Sequence, residues 1–396
     1  MTTAQSTPTI PYSIFIKAES AKCNLDCHYC YYLRNEEKNL PGMDVELAEK
    51  VVKDHILSQP EKSPQVDFIW HGGEPMMRGL EFYEQVVTAQ KATQTKKQIV
   101  NTIQTNGTLI NDRWAQFFKD ENFMVGISID GPNLINDIAR IDKKGHSSFE
   151  RTMRGLEHLK KFDVEFNTLT VINNKSYKMG KEIYSFLKDN GSGYMQFQPC
   201  IDHEMDRRFD YDWTLTGGQW GVFLCDVFDA WCEDIGKTYV QFFENCLMIL
   251  MDYPSQMCHH APTCGQQLMM ESDGRVFSCD HFGYDEFKIG QVKTDEGTQT
   301  ATELAQMVSS QEQRKFGQDK FDTLSDKCKT CDFLALCNGG CPKNRVGKFV
   351  NANKVEQDHN VLCEGYEMFF KYALPRLLKM TDAMKQGYSP AFYKLV

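Results

Sequence analysis

The run Cys23-Asn-Leu-Asp-Cys27-His-Tyr-Cys30 decides the fold of this chain, and its three cysteines have the spacing C-x3-C-x2-C. Three thiolates are one fewer than a closed four-ligand site needs, so a metal centre held by them keeps one coordination position open. In a 4Fe–4S cluster, an open iron can bind a substrate or cofactor besides passing electrons. The alternatives are three buried cysteines or an incomplete zinc site.

Short apolar segments alternate with helical patterns through the first 235 residues or so. They are rich in β-branched or aromatic residues and are bounded by Gly, Asn or Pro, as strands are. The candidate strands are 12–17, 65–70, 98–104, 123–129, 164–171 and 194–199. Helical spacing is clear over 44–57, where Asp44 is a candidate N-cap. Six βα units predict an α/β fold with a parallel sheet curled into an incomplete barrel.

Distinctive motifs follow four of these strands. The cysteine run follows the first strand and Gly72-Gly73-Glu74-Pro75 follows the second. The third ends in Gln104-Thr105-Asn106-Gly107 and the fourth in Ser128-Ile129-Asp130-Gly131. Because the carboxyl ends of the strands form the active face of β/α barrels, these motifs predict one catalytic site.

A second domain begins near residue 236, where regular alternation fades and cysteines crowd together. We therefore predict domains 1–235 and 236–396.

The late cysteines are Cys258, Cys264, Cys279, Cys328, Cys331, Cys337, Cys341 and Cys363, enough for two four-thiolate sites. Ser272-Asp273-Gly274 predicts a hairpin turn between Cys264 and Cys279. Spacing alone leaves two zinc sites open as the alternative, because C-x2-C pairs commonly bind zinc. The other cysteines after residue 30 follow no ligand pattern and are predicted to be small buried hydrophobes; they are Cys200, Cys225, Cys232 and Cys246.

Composition narrows the classes of function. A net charge of −10 argues against a nucleic-acid partner, whose phosphates favour a basic surface. The sequence has no run of eighteen apolar residues to span a membrane. Without a recognisable signal peptide, fifteen cysteines indicate metal ligands rather than disulfides. We therefore expect a cytoplasmic protein with no membrane partner.

The motifs together resemble the radical S-adenosylmethionine (SAM) superfamily with a SPASM extension, and most closely the anaerobic sulfatase-maturating enzymes. The resemblance covers about residues 12–385 and includes Cys258-x5-Cys264-Gly265, Cys279-Asp280-His281 and Cys337-Asn-Gly-Gly-Cys341. It implies a partial (β/α)6 barrel followed by a Cys-rich SPASM domain with short hairpins and helices. It also implies a radical SAM oxidoreductase that uses S-adenosylmethionine and three 4Fe–4S clusters.

The same resemblance implies the site residues. Cys23, Cys27 and Cys30 would bind the radical cluster. The late cysteines would divide into Cys258, Cys264, Cys279 and Cys341 for one auxiliary cluster and Cys328, Cys331, Cys337 and Cys363 for the other. The S-adenosylmethionine site would comprise Tyr29, Gly72, Gly73, Glu74, Gln104, Asn106, Ser128 and Arg151. In it, Gly72 and Gly73 would let the backbone approach the methionine amino group, Glu74 would accept from that group, and Ser128 and Arg151 would bind the carboxylate. Arg154 is the alternative to Arg151, and Asn106-Gly107 is also simply a good turn.

Three further residues are implied at the substrate. Asp280 would take the proton from the target side chain, with its pKa raised by the negative cluster beside it; the alternative is a turn residue. Tyr32 would line the peptide pocket. His71 replaces the glutamine that these maturases usually carry before Gly-Gly-Glu-Pro, and it either contacts substrate or is a satisfied strand-end histidine.

The predicted function is oxidation of a Cys or Ser in a sulfatase to Cα-formylglycine, with a flavodoxin- or ferredoxin-like reductant. One alternative is a SPASM maturase that forms a thioether or C–C crosslink in a short ribosomal precursor peptide, which His71 makes credible. Another is a non-catalytic electron carrier or zinc-binding module.

Overall fold

The structure, a computed structural model, describes residues 8, 10–32, 40–201, 213–293, 303–345 and 359–395. Its strands are β1 Ser13–Lys17, β2 Gln65–His71, β3 Gln98–Thr105, β4 Phe123–Ser128, β5 Phe166–Ile172, β6 Tyr194–Pro199, β7 Tyr239–Val240, β8 Gln267–Met270, β9 Arg275–Phe277 and β10 Lys288–Gln291. Its α-helices are α1 Val45–Ser58, α2 Leu80–Ala92, α3 Asp112–Asp120, α4 Asn133–Asn136, α5 Phe149–Lys161, α6 Gly180–Asn190, α7 Gly217–Trp231, α8 Gln241–Leu250, α9 Glu303–Val308, α10 Gln311–Asp322, α11 Asp326–Lys329, α12 Leu334–Cys337 and α13 Cys363–Lys385.

Local sequence explains where these elements lie. Alternate residues of β2 are buried, as expected when a strand is covered more on one face than on the other. Asp44 caps α1, since its Oδ1 accepts a hydrogen bond of 2.7 Å from the Leu47 amide. All six predicted strands are present with ends shifted by no more than two residues, and the predicted α1 is confirmed.

The chain divides into two compact units. The first comprises Met1–Ile127, Ile141–Phe166 and Gly265–Gln318. Its strand order is β10-β9-β8-β1-β2-β3-β4, in which β1 to β4 are parallel and β8 pairs in parallel with β1. The predicted hairpin at Ser272-Asp273-Gly274 is the antiparallel pair β8–β9. Apolar side chains from the strands and from α1, α2, α3 and α5 form one core.

The second unit comprises Ser128–Arg140, Asn167–Cys264 and Asp319–Val396. Strands β5 and β6 are parallel, and α7 and α13 pack closely because glycines face each other. A Cβ added at Gly365 would lie 2.1 Å from the carbonyl oxygen of Gly217, so the two backbones touch only without a side chain. Aromatic rings fill the remaining interior, with Phe243 and Phe369 stacked at 5.4 Å.

Most of the cysteines without a ligand pattern are buried. Cys200, Cys232 and Cys246 are buried as predicted, whereas Cys225 on α7 is only partly buried. No helix among the described residues has the length and apolar character needed to cross a bilayer.

Candidate active site

The cysteine run forms a loop after β1. Cys23 and Cys27 are buried and Cys30 is partly exposed. Burial, then the charge of Glu74 and the neighbouring thiols of Cys27 and Cys30, raise the pKa of Cys23 to about 12. A buried thiol in such surroundings loses its proton only when a cation replaces it, as iron does on binding. The loop therefore fits a metal cluster, although the proton-bearing thiols by themselves are not reactive nucleophiles.

The glycine pair after β2 holds the backbone of this loop. The amide of Gly73 donates to the Ser20 carbonyl and that of Glu74 to the Lys22 carbonyl, each at 2.8 Å. A Cβ at Gly73 would lie 2.0 Å from the Lys22 carbonyl oxygen. Gly72 and Gly73, predicted to approach the methionine group of the cofactor, thus have a second and structural role. They let two loops approach each other directly before the first cysteine.

Glu74 is fully buried and is bound by protein donors. Its Oε1 accepts from the Met76 amide at 3.0 Å and from the Thr105 hydroxyl at 2.8 Å, and its Oε2 accepts from the Asn106 amide at 2.9 Å. The carboxylate therefore ties the Gly-Gly-Glu-Pro loop to the end of β3. Its predicted contact with the methionine amino group stays a prediction.

Asn106 connects the end of β3 to the cysteine loop. Its Nδ2 donates to Asn24 Oδ1 at 2.8 Å and lies 3.7 Å from the Sγ of Cys23. Its Oδ1 accepts from the Thr108 amide at 3.0 Å, so it is also the turn residue that the alternative described. Gln104 lies on β3, two residues before Asn106, and pairs with Gly126 of β4.

Asp280 is paired with a buried lysine that the sequence did not reveal. Its Oδ1 lies 2.5 Å from the Nζ of Lys17, the last residue of β1, and the Lys17 side chain is only 1% exposed. Burial raises the pKa of Asp280, but the charge of Lys17, followed by those of His71 and His281, outweighs burial and holds the pKa well below its usual range. Lys17 therefore opposes the rise in this pKa that a negative cluster would cause, and that rise stays a prediction.

His71 also contacts this lysine. Its Nδ1 lies 3.1 Å from Lys17 Nζ and accepts from the Gly72 amide at 2.8 Å. Burial and then Lys17 lower the pKa of His71 to about 3, so the imidazole is neutral. The structure thus supports the strand-end alternative for His71, since its Nδ1 is engaged within the protein.

Two tyrosines lie beside Lys17 and Asp280. The Tyr32 hydroxyl donates to the buried carboxylate of Glu271 at 2.8 and 2.9 Å, and Lys17 Nζ lies 4.7 Å from the centre of the Tyr32 ring. The Tyr31 hydroxyl lies 3.5 Å from Asp280 Oδ2. Sequence reasoning missed Lys17, Glu271 and Tyr31. A lysine that ends an apolar strand and a glutamate that precedes a turn both look like solvent-exposed residues.

The remaining predicted cofactor residues are placed as follows. Tyr29 is buried within the cysteine loop, and Ser128 is the last residue of β4. Arg151 on α5 donates to Asp142 Oδ2 at 3.1 Å and keeps a third of its side chain exposed. The structure thus gives Arg151 a protein partner, and its role at the cofactor carboxylate stays a prediction.

The late cysteines of the second unit form two neighbourhoods. Burial, then the nearby Cys341 and Cys264, raise the pKa of Cys258 to about 12. Burial, and then Cys363, Cys328 and Cys331, likewise raise the pKa of Cys337 to about 12. Cys279 belongs to the first unit, two residues after the end of β9 and directly before Asp280.

These neighbourhoods have the composition that iron–sulfur clusters use, namely several thiols that are buried or partly buried. Among the residues described, no three or more His, Cys, Asp or Glu side chains are arranged to bind a single metal ion. Thiolates of a cluster bind separate irons and do not converge on one point. The neighbourhoods agree with the predicted partition of the late cysteines, which stays a prediction.

Known proteins show the same organisation. A family model described as the Radical SAM superfamily matches residues 20–187, and one described as SPASM, an iron-sulfur cluster-binding domain, matches residues 258–332. A serine-type anaerobic sulfatase-maturating enzyme of Bacteroides thetaiotaomicron is 38% identical over 400 residues, with 96% of this chain and 94% of the relative covered. A cysteine-type enzyme of Clostridium perfringens is 31% identical, with 95% of this chain and 100% of the relative covered.

Solved structures agree with these relatives. Native anSMEcpe with bound AdoMet and Cp18Cys peptide has a TM-score of 0.84 and 32% sequence identity, with 95% of this chain and 100% of that chain covered. The predicted fold class and the predicted cofactor types, S-adenosylmethionine and 4Fe–4S clusters, are confirmed at the level of the family. The protein is a radical SAM enzyme. The chain belongs to the radical SAM superfamily with a SPASM domain and, within it, to the family of anaerobic sulfatase-maturating enzymes.

Proposed function

We propose that this protein oxidises a Cys or Ser side chain of a sulfatase to Cα-formylglycine. The observation that carries the proposal is similarity over nearly the whole chain to maturases of both the serine and the cysteine type. The first unit supports it, since the cysteine loop, Tyr31, Tyr32 and Asp280 lie in that one unit. A peptide substrate is in keeping with the peptide bound in the structure of anSMEcpe.

When bound at the cluster of Cys23, Cys27 and Cys30, S-adenosylmethionine supplies the 5′-deoxyadenosyl radical that removes a hydrogen atom from the target β-carbon. Asp280 is the proposed base. It accepts the proton of the thiol or hydroxyl at Oδ2, the oxygen nearer Tyr31, while Oδ1 stays paired with Lys17. Lys17 keeps the carboxylate ionised and fixed in orientation, which a positioned base requires.

Oxidation of the target carbon removes two electrons from the substrate. With a Ser target the product is the aldehyde itself, whereas with a Cys target the thioaldehyde takes up water and releases hydrogen sulfide. One of the two electrons leaves with the hydrogen atom. Cys279, next to Asp280, would help to hold the auxiliary cluster that supplies an acceptor for the second electron. Tyr32, whose hydroxyl is held by Glu271, would present its ring to the peptide.

The partners and the compartment are further parts of the proposal. A low-potential flavodoxin- or ferredoxin-like protein would supply the electron that starts each turnover. Fifteen free cysteines favour a reducing compartment, so a cytoplasmic location remains a prediction. The division into domains 1–235 and 236–396 also remains a prediction, and the family models, which match 20–187 and 258–332, leave its boundary open.

The test is an anaerobic incubation of the reconstituted enzyme with S-adenosylmethionine, reductant and a peptide carrying Cys-x-Pro-x-Arg, beside the matching Ser peptide. Conversion of the target residue to the aldehyde, detected by mass spectrometry, supports the proposal. A peptide that stays unmodified while 5′-deoxyadenosine accumulates would instead favour the crosslinking alternative. Reconstituted protein that contains zinc and no iron would contradict both.

A further inference from the structure

The second unit contains three buried cations near the late cysteines, Lys320, Lys343 and Arg345. The Lys320 residue is 0% exposed and Arg345 is 7% exposed. Among the described residues, neither side chain has an ion pair with a carboxylate. A buried cation without a counter-charge is costly, by several kcal/mol in order of magnitude, so this arrangement calls for an explanation.

The Arg345 guanidinium binds the carbonyl groups of the short loop between two predicted ligands, Cys337 and Cys341. Its Nε donates to the Gly339 carbonyl at 3.1 Å, and its Nη2 donates to the Asn338 carbonyl at 3.1 Å and to the Gly340 carbonyl at 3.4 Å. All three residues of the loop therefore present their carbonyl groups to one guanidinium. The predicted partition assigns Cys337 to one auxiliary cluster and Cys341 to the other, so this loop would be the covalent link between them.

Lys320 lies against a second ligand segment. Its Nζ donates to the carbonyl of Ala261, between Cys258 and Cys264, and its own carbonyl accepts from Arg345 Nη1 at 2.6 Å. Burial lowers the pKa of Lys320 to about 8, while Cys264, Cys258 and Cys341 act in the opposite direction when their thiols are ionised.

Arg345 has thiols of both neighbourhoods around it. Burial lowers the pKa of Arg345, and Cys328 and Cys341, one from each predicted set, oppose that lowering when their thiols are ionised. Lys320 and Arg345 thus lie among the thiols of both neighbourhoods.

A 4Fe–4S cluster with four thiolates is negatively charged and becomes more negative by one unit when it takes up an electron. A fixed positive charge nearby stabilises the reduced form more than the oxidised form, so it raises the reduction potential. We propose that Lys320 and Arg345 are the built-in counter-charges of the two auxiliary clusters and set their reduction potentials. This inference rests on the late cysteines being cluster ligands, as in the proposed function.

The test is an anaerobic redox titration of the iron-loaded protein followed by electron paramagnetic resonance, together with iron analysis. In Lys320→Met we expect the midpoint potential of an auxiliary cluster to become more negative by about 59 mV, a tenfold change in a one-electron equilibrium. Lys320→Arg keeps the charge and should behave like the wild type. Lys188→Met is the matched control, since Lys188 is paired with Asp234.

Arg345→Gln is the second variant, because it keeps amide donors for the loop carbonyls and removes the charge. It should shift a potential in the same negative direction. Iron-loaded Lys320→Met and Arg345→Gln proteins with wild-type potentials would overturn the inference, as would reduced iron content without any shift in the loaded fraction. A wild-type protein that lacks auxiliary clusters would instead show that the ligand assignment in the proposed function is wrong.

Discussion

The cysteine loop of the first unit and the late cysteines of the second unit have opposite electrostatic surroundings. Beside the loop lies Glu74, a fully buried carboxylate that raises the pKa of Cys23. Among the late cysteines lie the buried cations Lys320 and Arg345. A negative neighbour lowers the reduction potential of a cluster and a positive neighbour raises it. The difference is in keeping with the proposed function, in which the first cluster would give an electron to the sulfonium and an auxiliary cluster would accept one from the substrate.

We expect the largest effect from a substitution that removes the cluster of the cysteine loop and leaves the auxiliary clusters in place. Cys23→Ala removes one of only three predicted ligands, so we expect 5′-deoxyadenosine formation to be abolished and about four irons per chain to be lost. The auxiliary signals in electron paramagnetic resonance should remain. Cys200→Ala, at a buried cysteine outside the ligand sets, is the control and should keep full iron and full cofactor cleavage. Equal iron in the two variants would remove Cys23 from the ligand set.

A smaller effect is expected from the lysine that positions Asp280. Lys17→Met leaves Asp280 without its partner at 2.5 Å, so the base loses its fixed orientation. Misplacement of a catalytic group by about 1 Å costs on the order of a hundredfold in rate. We expect kcat for peptide oxidation to fall by about that factor while cofactor cleavage continues.

Two substitutions separate this role from a general loss of structure. Lys17→Arg should recover part of the rate, and Lys91→Met, at an exposed lysine paired with Glu121, should have no effect. A Lys17→Met enzyme in which KM rises and kcat is unchanged would show that Lys17 serves peptide binding instead.

Glu74 provides a test of the effect of a negative charge beside the first cluster. Glu74→Gln keeps an acceptor for Met76 and Thr105 but leaves the Asn106 amide without one, at a cost of about 1–3 kcal/mol in the free energy of unfolding. Loss of the charge should move the potential of the first cluster in the positive direction, opposite to the shift expected for Lys320→Met. Denaturant unfolding and redox titration measure the two effects. Glu84→Gln, at a half-exposed surface glutamate, should change neither quantity, and a negative shift in Glu74→Gln would refute the comparison.

The smallest effect concerns the stability of the first unit as pH falls. Burial lowers the pKa of His55 from 6.5 to about 4, and the residue is 0% exposed. The unfolded chain therefore binds a proton that the folded chain refuses, so stability is lost as pH falls from about 6.5 towards 4. The loss attributable to His55 should be about 2 kcal/mol between pH 7 and pH 5. Denaturant midpoints over this range should fall less steeply in His55→Gln; parallel curves would show that His55 does not cause the loss.

The sequence predicted the scaffold of the site well and its charge pairs poorly. The strands, α1 and the β8–β9 hairpin follow from local patterns of burial, capping and turn chemistry, which act over a few residues. The Lys17–Asp280 pair and the Tyr32–Glu271 hydrogen bonds join β1 and the cysteine loop to the segment around β8 and β9. No local pattern encodes such contacts, because they arise only when β8 pairs with β1.

The role of Glu74 was difficult to predict for the same reason. The local sequence predicts that the carboxylate of the Gly-Gly-Glu-Pro turn is free to bind a ligand, because it does not show that the end of β3 lies beside this carboxylate. In the structure, Thr105 and Asn106 at the end of β3 both donate to it. The prediction for the pKa of Asp280 considered only the neighbouring cluster, whereas the charge of Lys17 acts on this pKa in the opposite direction.

The most direct test of the central claim is the number of peptides oxidised for each 5′-deoxyadenosine released, measured by mass spectrometry and chromatography in the same anaerobic reaction. For the wild-type enzyme with a Cys-x-Pro-x-Arg peptide or its Ser counterpart, we predict a ratio close to one. For Asp280→Asn, we predict unchanged 5′-deoxyadenosine and peptide oxidation lower by about 10²–10⁴-fold, the range expected when a general base is lost. A wild-type enzyme that cleaves the cofactor and oxidises neither peptide, or an Asp280→Asn enzyme with the wild-type ratio, would contradict the account.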